Sequence, residues 1–425
     1  MSCPAPRLDT ARPVTGAAID VHHASRRSAV VLGPLALPDA RTATARLRRF
    51  AELGPHTRIG LQPSADRRTW LFAPDALATA VHTAPATGDP RTLLDELSSR
   101  APGHLRVVLS DDHMAIDYDH GLGDTTLVNT IVDVLLGVDD VDVTLLPRLR
   151  TSTSALAIAG ASVLCDPRRV VALARMHLSR DFRPPHPCQM VAIDRPGSTT
   201  SVMVRFDTKV VESMRAQRVV RAPDVGMFAI YTVALVRALT AAGLRVNPMV
   251  TLPFDARAYL PRSVGTMANF AAGLDFAVLP DTSPTALQAE LSAASTMGRP
   301  VANLVVTAIK SRLAQRRGTS GNDALRSWTP AGEAAIDLLH SSGGVVPGRR
   351  GRWTFTDPDT AYVIGVADPP SPTGITVTST SVTGSLCLTA TFRDDVFAPD
   401  AVAAALDDVP SQASAALDET VPRSG

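Results

Sequence analysis

Residues 114–136 leave their part of the chain few ways to fold. Met114, Ile116 and Tyr118 fall on one face of a strand and Asp117 and Asp119 on the other, because strand side chains alternate. Residues 127–136 form an apolar run of helical length. Asp124 sits where the N-cap of that helix belongs, and Gly137 sits where it ends. Between the two elements lies His120-Gly121-Leu122-Gly123-Asp124. A strand, a short glycine-bearing loop and a capped helix in immediate succession present one imidazole at the mouth of the turn. His120 extends the apolar face of the strand, and Asp119 turns away from it.

The rest of the chain mixes the same kinds of element. Residues 28–35 read as a strand, and 39–53 as an amphipathic helix with Ala43, Leu47, Phe50 and Leu53 on one face. Residues 58–61 and 69–72 suit short strands, and 105–109 with 113–118 form a hairpin across Asp111-Asp112. Helices are expected over 154–163 and 169–178. The composition then shifts: Pro184, Pro185, Pro187 and Pro196 fall in 179–197, which reads as a crossover linker. Beyond it come a strand over 201–206, helices over 208–218 and 225–242, strands over 247–252 and 271–279, and a helix over 283–297. A strand over 361–366, a Thr-rich hairpin over 375–392 turning near Gly384, and a helix over 398–406 follow. The expected architecture is mixed α/β in two halves, 1–178 and 198–425, without a residue-level repeat.

A chain of 425 residues exceeds one ordinary core, consistent with two lobes. Its formal net charge of +1 gives no electrostatic footprint for nucleic acid or an anionic membrane. Lys209 and Lys310 are the only lysines, a bias we attribute to GC-rich coding rather than to function. Cys3, Cys165, Cys188 and Cys387 are scattered without ligand spacing, so neither a disulfide framework nor a zinc site is expected. No apolar segment follows Arg7 and Arg12 as in a signal peptide, and no run approaches about 18 apolar residues. A cytoplasmic location is expected.

Histidine has an unperturbed pKa of about 6.5, so His120 has its free base available near neutral pH. In this position it could deprotonate an alcohol or amine attacking an acyl carbonyl, a contribution of about 10²–10⁴ in rate. A histidine merely satisfied by hydrogen bonds at a strand end is the alternative. Asp124 also has two readings: a plain N-cap, worth ~1 kcal/mol, or a carboxylate locked by Arg257. Both readings are architectural. The acidic cluster around Asp111, Asp112, His113, Asp117, Asp119 and Asp124 spreads over opposite strand faces and lacks metal-ligand spacing, so no metal is expected. Phosphate-cradling glycine loops and a GxSxG elbow are missing from the sequence. His22-His23 reads as a solvated pair.

Asp119-His120-Gly121-Leu122-Gly123-Asp124-Thr125 resembles the HHxxxDG signature of the CoA- and carrier-protein-dependent acyltransferase superfamily. That superfamily includes condensation domains, polyketide-associated and wax ester synthase-like acyltransferases, BAHD acyltransferases and chloramphenicol acetyltransferase. Its downstream signature is matched by Asp255-Ala256-Arg257 and by residues 265–270, which contain Asn269-Phe270. The chain departs from the pattern at Asp119, in place of the first histidine, and at Thr125, in place of the final glycine. The resemblance implies two chloramphenicol-acetyltransferase-like lobes in a V with a central tunnel, and a late hairpin (376–391) bridging the cleft. It implies His120 as general base, Asp124 and Arg257 as a structural pair, and Gly121 and Gly123 as openings for backbone approach to the reacting centre. Asn269, Thr378 and Ser381 would line the loop or tunnel. The donor would be a phosphopantetheine thioester, on CoA or on an acyl or peptidyl carrier protein, and the acceptor an alcohol or amine. No tightly bound cofactor, nucleic acid or membrane is implied, and a monomer suffices to build the tunnel. A catalytically silent docking platform for carrier-bound assembly enzymes is the rival reading, and an isomerising or cyclising relative a third.

Overall fold

The computed structural model describes residues 11–86, 89–99, 103–137, 147–149, 154–179, 190–192, 198–316, 328–346 and 353–419. Most of the expected 179–197 linker lies outside them. The first half runs β1 (Arg12–Thr15), α1 (Ala18–His23), β2 (Arg27–Gly33), α2 (Ala40–Glu52), β3 (Leu61–Gln62), β4 (Thr69–Phe72), β5 (Val81–Thr83), α3 (Thr92–Ser99), β6 (Leu105–Ser110), β7 (His113–Asp119), α4 (Thr125–Leu136), α5 (Ala155–Leu164) and α6 (Pro167–Ser179). The second runs β8 (Met190–Ala192), β9 (Thr199–Phe206), α7 (Thr208–Arg221), α8 (Met227–Ala241), β10 (Met249–Asp255), β11 (Ala271–Ala277), α9 (Pro284–Met297) and α10 (Arg299–Arg316). It closes with β12 (Trp328–Pro330), β13 (Asp337–Val346), β14 (Tyr362–Ala367), β15 (Gly374–Val382), β16 (Ser385–Arg393), α11 (Pro399–Asp407) and α12 (Val409–Asp418).

Two mixed sheets organise the halves. The first is five-stranded, in the order β14-β2-β7-β6-β5, and the second six-stranded, in the order β11-β10-β13-β15-β16-β9. The β6–β7 hairpin pairs Ser110 with His113 across Asp111-Asp112, as its turn residues require. α2 begins on Asp39, whose side chain accepts the Thr42 N–H, and buries Ala43, Leu47 and Phe50. α8 is largely apolar, interrupted by Thr232, Arg237 and Thr240, and its residues from Ala229 to Leu239 are buried against the second sheet's core.

β14 ties the halves together. It follows β13 in the chain yet pairs antiparallel with β2, from Tyr362↔Gly33 to Ala367↔Ser28, at the edge of the first sheet. β14 is the strand that crosses, while β15 and β16 pair within the second sheet and the late hairpin reaches the first half through Val382 and Cys387, which join its core. α1 also straddles the halves. Its Ala18 and Ile19 join the core of the second half, and its Val21 joins that of the first.

Candidate active site

His120 leaves β7 at the start of a single 3-10 turn, His120–Leu122, and α4 begins three residues after it. The ring's Nδ1 lies 2.9 Å from the Gly123 carbonyl oxygen. A carbonyl only accepts, so Nδ1 is the donor, and in the neutral ring Nε2 is the unprotonated nitrogen. The backbone of His120 is fixed on both sides. Its N–H donates to the Arg26 carbonyl at 2.8 Å, and its carbonyl accepts from Asn269 Nδ2 at 2.7 Å. Asp119 does turn away. Its carboxylate accepts the N–H groups of Gly121 and Ser25, at 2.8 and 3.1 Å. Burial pushes its pKa up, while those N–H groups pull it down. An aspartate at the first motif position thus serves the loop's backbone.

Both readings of Asp124 hold at once. It caps α4 through Oδ1 to the Thr126 N–H, and it takes both ends of the Arg257 guanidinium at 3.0 Å each. The Phe270 N–H donates to Oδ2 at 3.0 Å. Arg257 reaches this position because β10 and β11 are paired up to Asp255↔Ala271, so the connection between them starts and ends at one point facing the loop. It also donates to the carbonyls of Thr266 and Ala268 and, at 3.1 Å, to the Asp255 carboxylate. The two loop glycines serve close packing of protein on protein, which corrects the expectation that they open the backbone to substrate. A Cβ on Gly121 would sit 3.0 Å from Ala24 Cα, and one on Gly123 only 2.2 Å from the Met267 carbonyl oxygen.

Behind the loop lies a clamp that sequence reasoning missed. Arg58 donates from Nε and a terminal nitrogen to the carbonyls of Leu122 and Gly121, both at 2.8 Å, and pairs with the buried Asp20 at 2.9 Å. Asp20 in turn accepts the Asn269 N–H at 3.2 Å. Burial raises the Asp20 pKa against the lowering pull of Arg58. No motif spacing announces this pair, because Arg58 and Asp20 meet only through the fold.

A cavity of about 500 Å³ lies between the halves and is lined from one by His22, His23 and His120, and from the other by Thr251, Asn269 and Thr378. Asp124 lies at its wall with its carboxylate engaged as above. Ser381 does not line it. On β15 the cavity residues are Thr376, Thr378 and Thr380, and Ser381 falls on the alternate face. The expectation that His22-His23 is a solvated pair holds for His22, which is exposed at the cavity rim, and is corrected for His23, whose ring centroid lies in the cavity wall 4.8 Å from that of His120. Among the described residues no group of three or more His, Cys, Asp or Glu side chains is arranged to hold a metal ion. The acidic cluster disperses into ion pairs and caps, Asp117 to Arg27 and Arg106, and Asp124 to Arg257. No helix among the described residues is long and apolar enough to cross a membrane.

No family model matches the chain, and no curated protein matches it in sequence. Its fold is nonetheless that of solved condensation-type structures. The condensation domain of the monacolin K polyketide synthase matches with a TM-score of 0.58 at 14% identity, over 95% of this chain and 97% of that one. Trichothecene 15-O-acetyltransferase from Fusarium sporotrichioides matches with a TM-score of 0.57 at 12% identity, over 96% and 95%. A nonribosomal peptide synthetase matches with a TM-score of 0.57 at 16% identity over all of this chain, which spans 44% of the synthetase chain. The chain has the condensation-domain fold, two chloramphenicol-acetyltransferase-like halves around a cavity.

Proposed function

We propose that the protein is an acyltransferase that moves an acyl group from a phosphopantetheine thioester to an alcohol or amine. The observation that carries this reading is the 2.9 Å contact of His120 Nδ1 with the Gly123 carbonyl. It fixes the tautomer and leaves Nε2 as a base on a residue lining the cavity. Nε2 takes the proton of the attacking O–H or N–H as the nucleophile bonds to the thioester carbonyl carbon. The tetrahedral species then collapses, the C–S bond breaks, and the leaving thiolate receives the proton from His120. Asp124, Arg257, Asn269 and Arg58 hold the loop and carry no proton.

The donor is acyl-CoA or an acylated carrier protein, and the thioester is a co-substrate rather than a resident cofactor. The condensation-domain fold supports the carrier-protein option, and the acetyltransferase neighbour supports the acyl-CoA option. The rival reading, a silent docking platform, draws on Asp119 and Thr125, where the chain departs from the signature. It loses ground because Asp119 caps the loop and leaves His120 undisturbed. The test is thiol release from acyl-CoA and from an acylated carrier protein, with and without alcohol and amine acceptors, and with product mass measured. Acceptor-dependent release with an ester or amide product is expected. Carrier protein binding without any thiol release would favour the platform instead.

A further inference from the structure

His23 has no part in the scheme above, and its surroundings are unusual. It is the last residue of α1, half-buried, with its ring against that of His120 in the cavity wall. Its Nδ1 is sealed within the protein and has no hydrogen-bond partner. A buried N–H without an acceptor is the rarer and costlier defect than a bare acceptor nitrogen. Nδ1 is therefore the unprotonated nitrogen, the proton sits on Nε2, and the Nε2 edge is the part of the ring left to face the cavity. Burial, reinforced by His120, His22 and Arg26, holds the His23 pKa well below the ordinary histidine range, so the ring is neutral at physiological pH.

The cavity wall then offers two imidazoles of opposite character: a base at His120 Nε2 and a donor at His23 Nε2–H. In acyl transfer the attacked carbonyl oxygen gains negative charge next to the oxygen or nitrogen that gives up its proton. A group whose nucleophile meets His120 has its carbonyl oxygen within reach of a ring centred 4.8 Å away. We infer that His23 is the oxyanion donor of this site, its Nε2–H hydrogen-bonding the tetrahedral intermediate as His120 holds the nucleophile's proton. No charge or proton leaves His23. It donates while C–O or C–N forms, and releases when the carbonyl re-forms and the C–S bond breaks. A donor aimed at developing charge acts on the transition state rather than on ground-state binding.

This inference rests on the acyltransferase reading, and the experiment separates the two. His23→Phe keeps a flat ring and removes the donor, and His23→Gln keeps an N–H near the position of Nε2. With a thioester and acceptor that wild type turns over, His23→Phe is expected to lower kcat by about 10²-fold with little change in KM. His23→Gln is expected to recover most of that loss. Undiminished kcat in His23→Phe, or equal loss in both variants, overturns the donor role while leaving His120 as base. Absence of transfer by wild type with any thioester overturns the acyltransferase reading itself. Where the phenylalanine lowers the melting midpoint, His23→Met against His23→Gln decides on the same readout: a Gln variant that outpaces Met supports the donor, and equal rates reject it.

Discussion

At the loop between β7 and α4, one carboxylate collects the contacts that fix a neighbouring base. Asp124 accepts from the N–H groups of Thr126 and Phe270 and from two nitrogens of Arg257, all at 3.0 Å. Both partners are largely buried, at 12% and 17% side-chain exposure, so neither survives well alone. Arg257→Ala is expected to cost about 3–5 kcal/mol in chemical denaturation. Asp124→Ala with Arg257→Ala should cost clearly less than the two single losses added, since the pair is coupled. Strict additivity would mean that the two side chains stabilise the fold independently. The sequence carried this pair legibly, because an N-cap position and a D-x-R segment before a G…N-F loop each have a recognisable pattern. It concealed His23, Asp20 and Arg58, whose roles come from contacts between segments far apart in the chain.

Among the elements, those with strong local signals agree with the sequence reading. α2, α4 and the β6–β7 hairpin carry alternation or helical spacing, caps and turn residues in agreement. β13 does not announce itself: Asp-Leu-Leu-His-Ser-Ser-Gly-Gly-Val-Val is rich in residues that disfavour strands. It is a strand because it lies between β10 and β15, with a register shift at Ser342/Gly344 absorbing the glycines. Residues 58–61 were expected to be strand, but Arg58 and Gly60 take positive φ, and the strand starts only at Leu61. That kink is what lets Arg58 reach the loop carbonyls. The loop's contact with the second half makes another prediction. Gly123→Ala would place its Cβ 2.2 Å from the Met267 carbonyl oxygen. It is expected to destabilise the fold by about 1–3 kcal/mol. Transfer should fall as well, because Gly123 supplies the carbonyl that orients His120. A Gly123→Ala enzyme with wild-type melting midpoint and rate would disprove that packing role.

Across the whole molecule, stability should depend on pH through buried histidines. His340 lies fully buried on β13, with Nδ1 2.8 Å from Thr232 Oγ1 and Nε2 3.0 Å from Ser379 Oγ. Thr232 already donates to the Phe228 carbonyl, so it accepts from Nδ1–H, and Nε2 accepts from Ser379. Burial pushes the His340 pKa down to about 3, and that of His23 moves in the same direction. The folded state leaves these rings unprotonated while the unfolded chain takes up protons below its ordinary value of about 6.5. Stability is therefore full above that value and is lost as pH falls from it toward about 3. The slope approaches about 1.4 kcal/mol per pH unit for each such histidine. The raised carboxyls of Asp20 and Asp119 act in the opposite sense. Denaturation of wild type and His340→Gln side by side below about pH 6.5 isolates this histidine, and His340→Gln should flatten the slope by up to one proton. The two halves, joined by β14 and by α1, enclose the cavity in which His120 is the proposed base. The most direct measurement is single-turnover transfer from a preloaded thioester by wild type and by His120→Ala, with melting midpoints matched. A fall of at least about 10²-fold with an unchanged midpoint is predicted. Transfer at the wild-type rate would contradict His120 as the base.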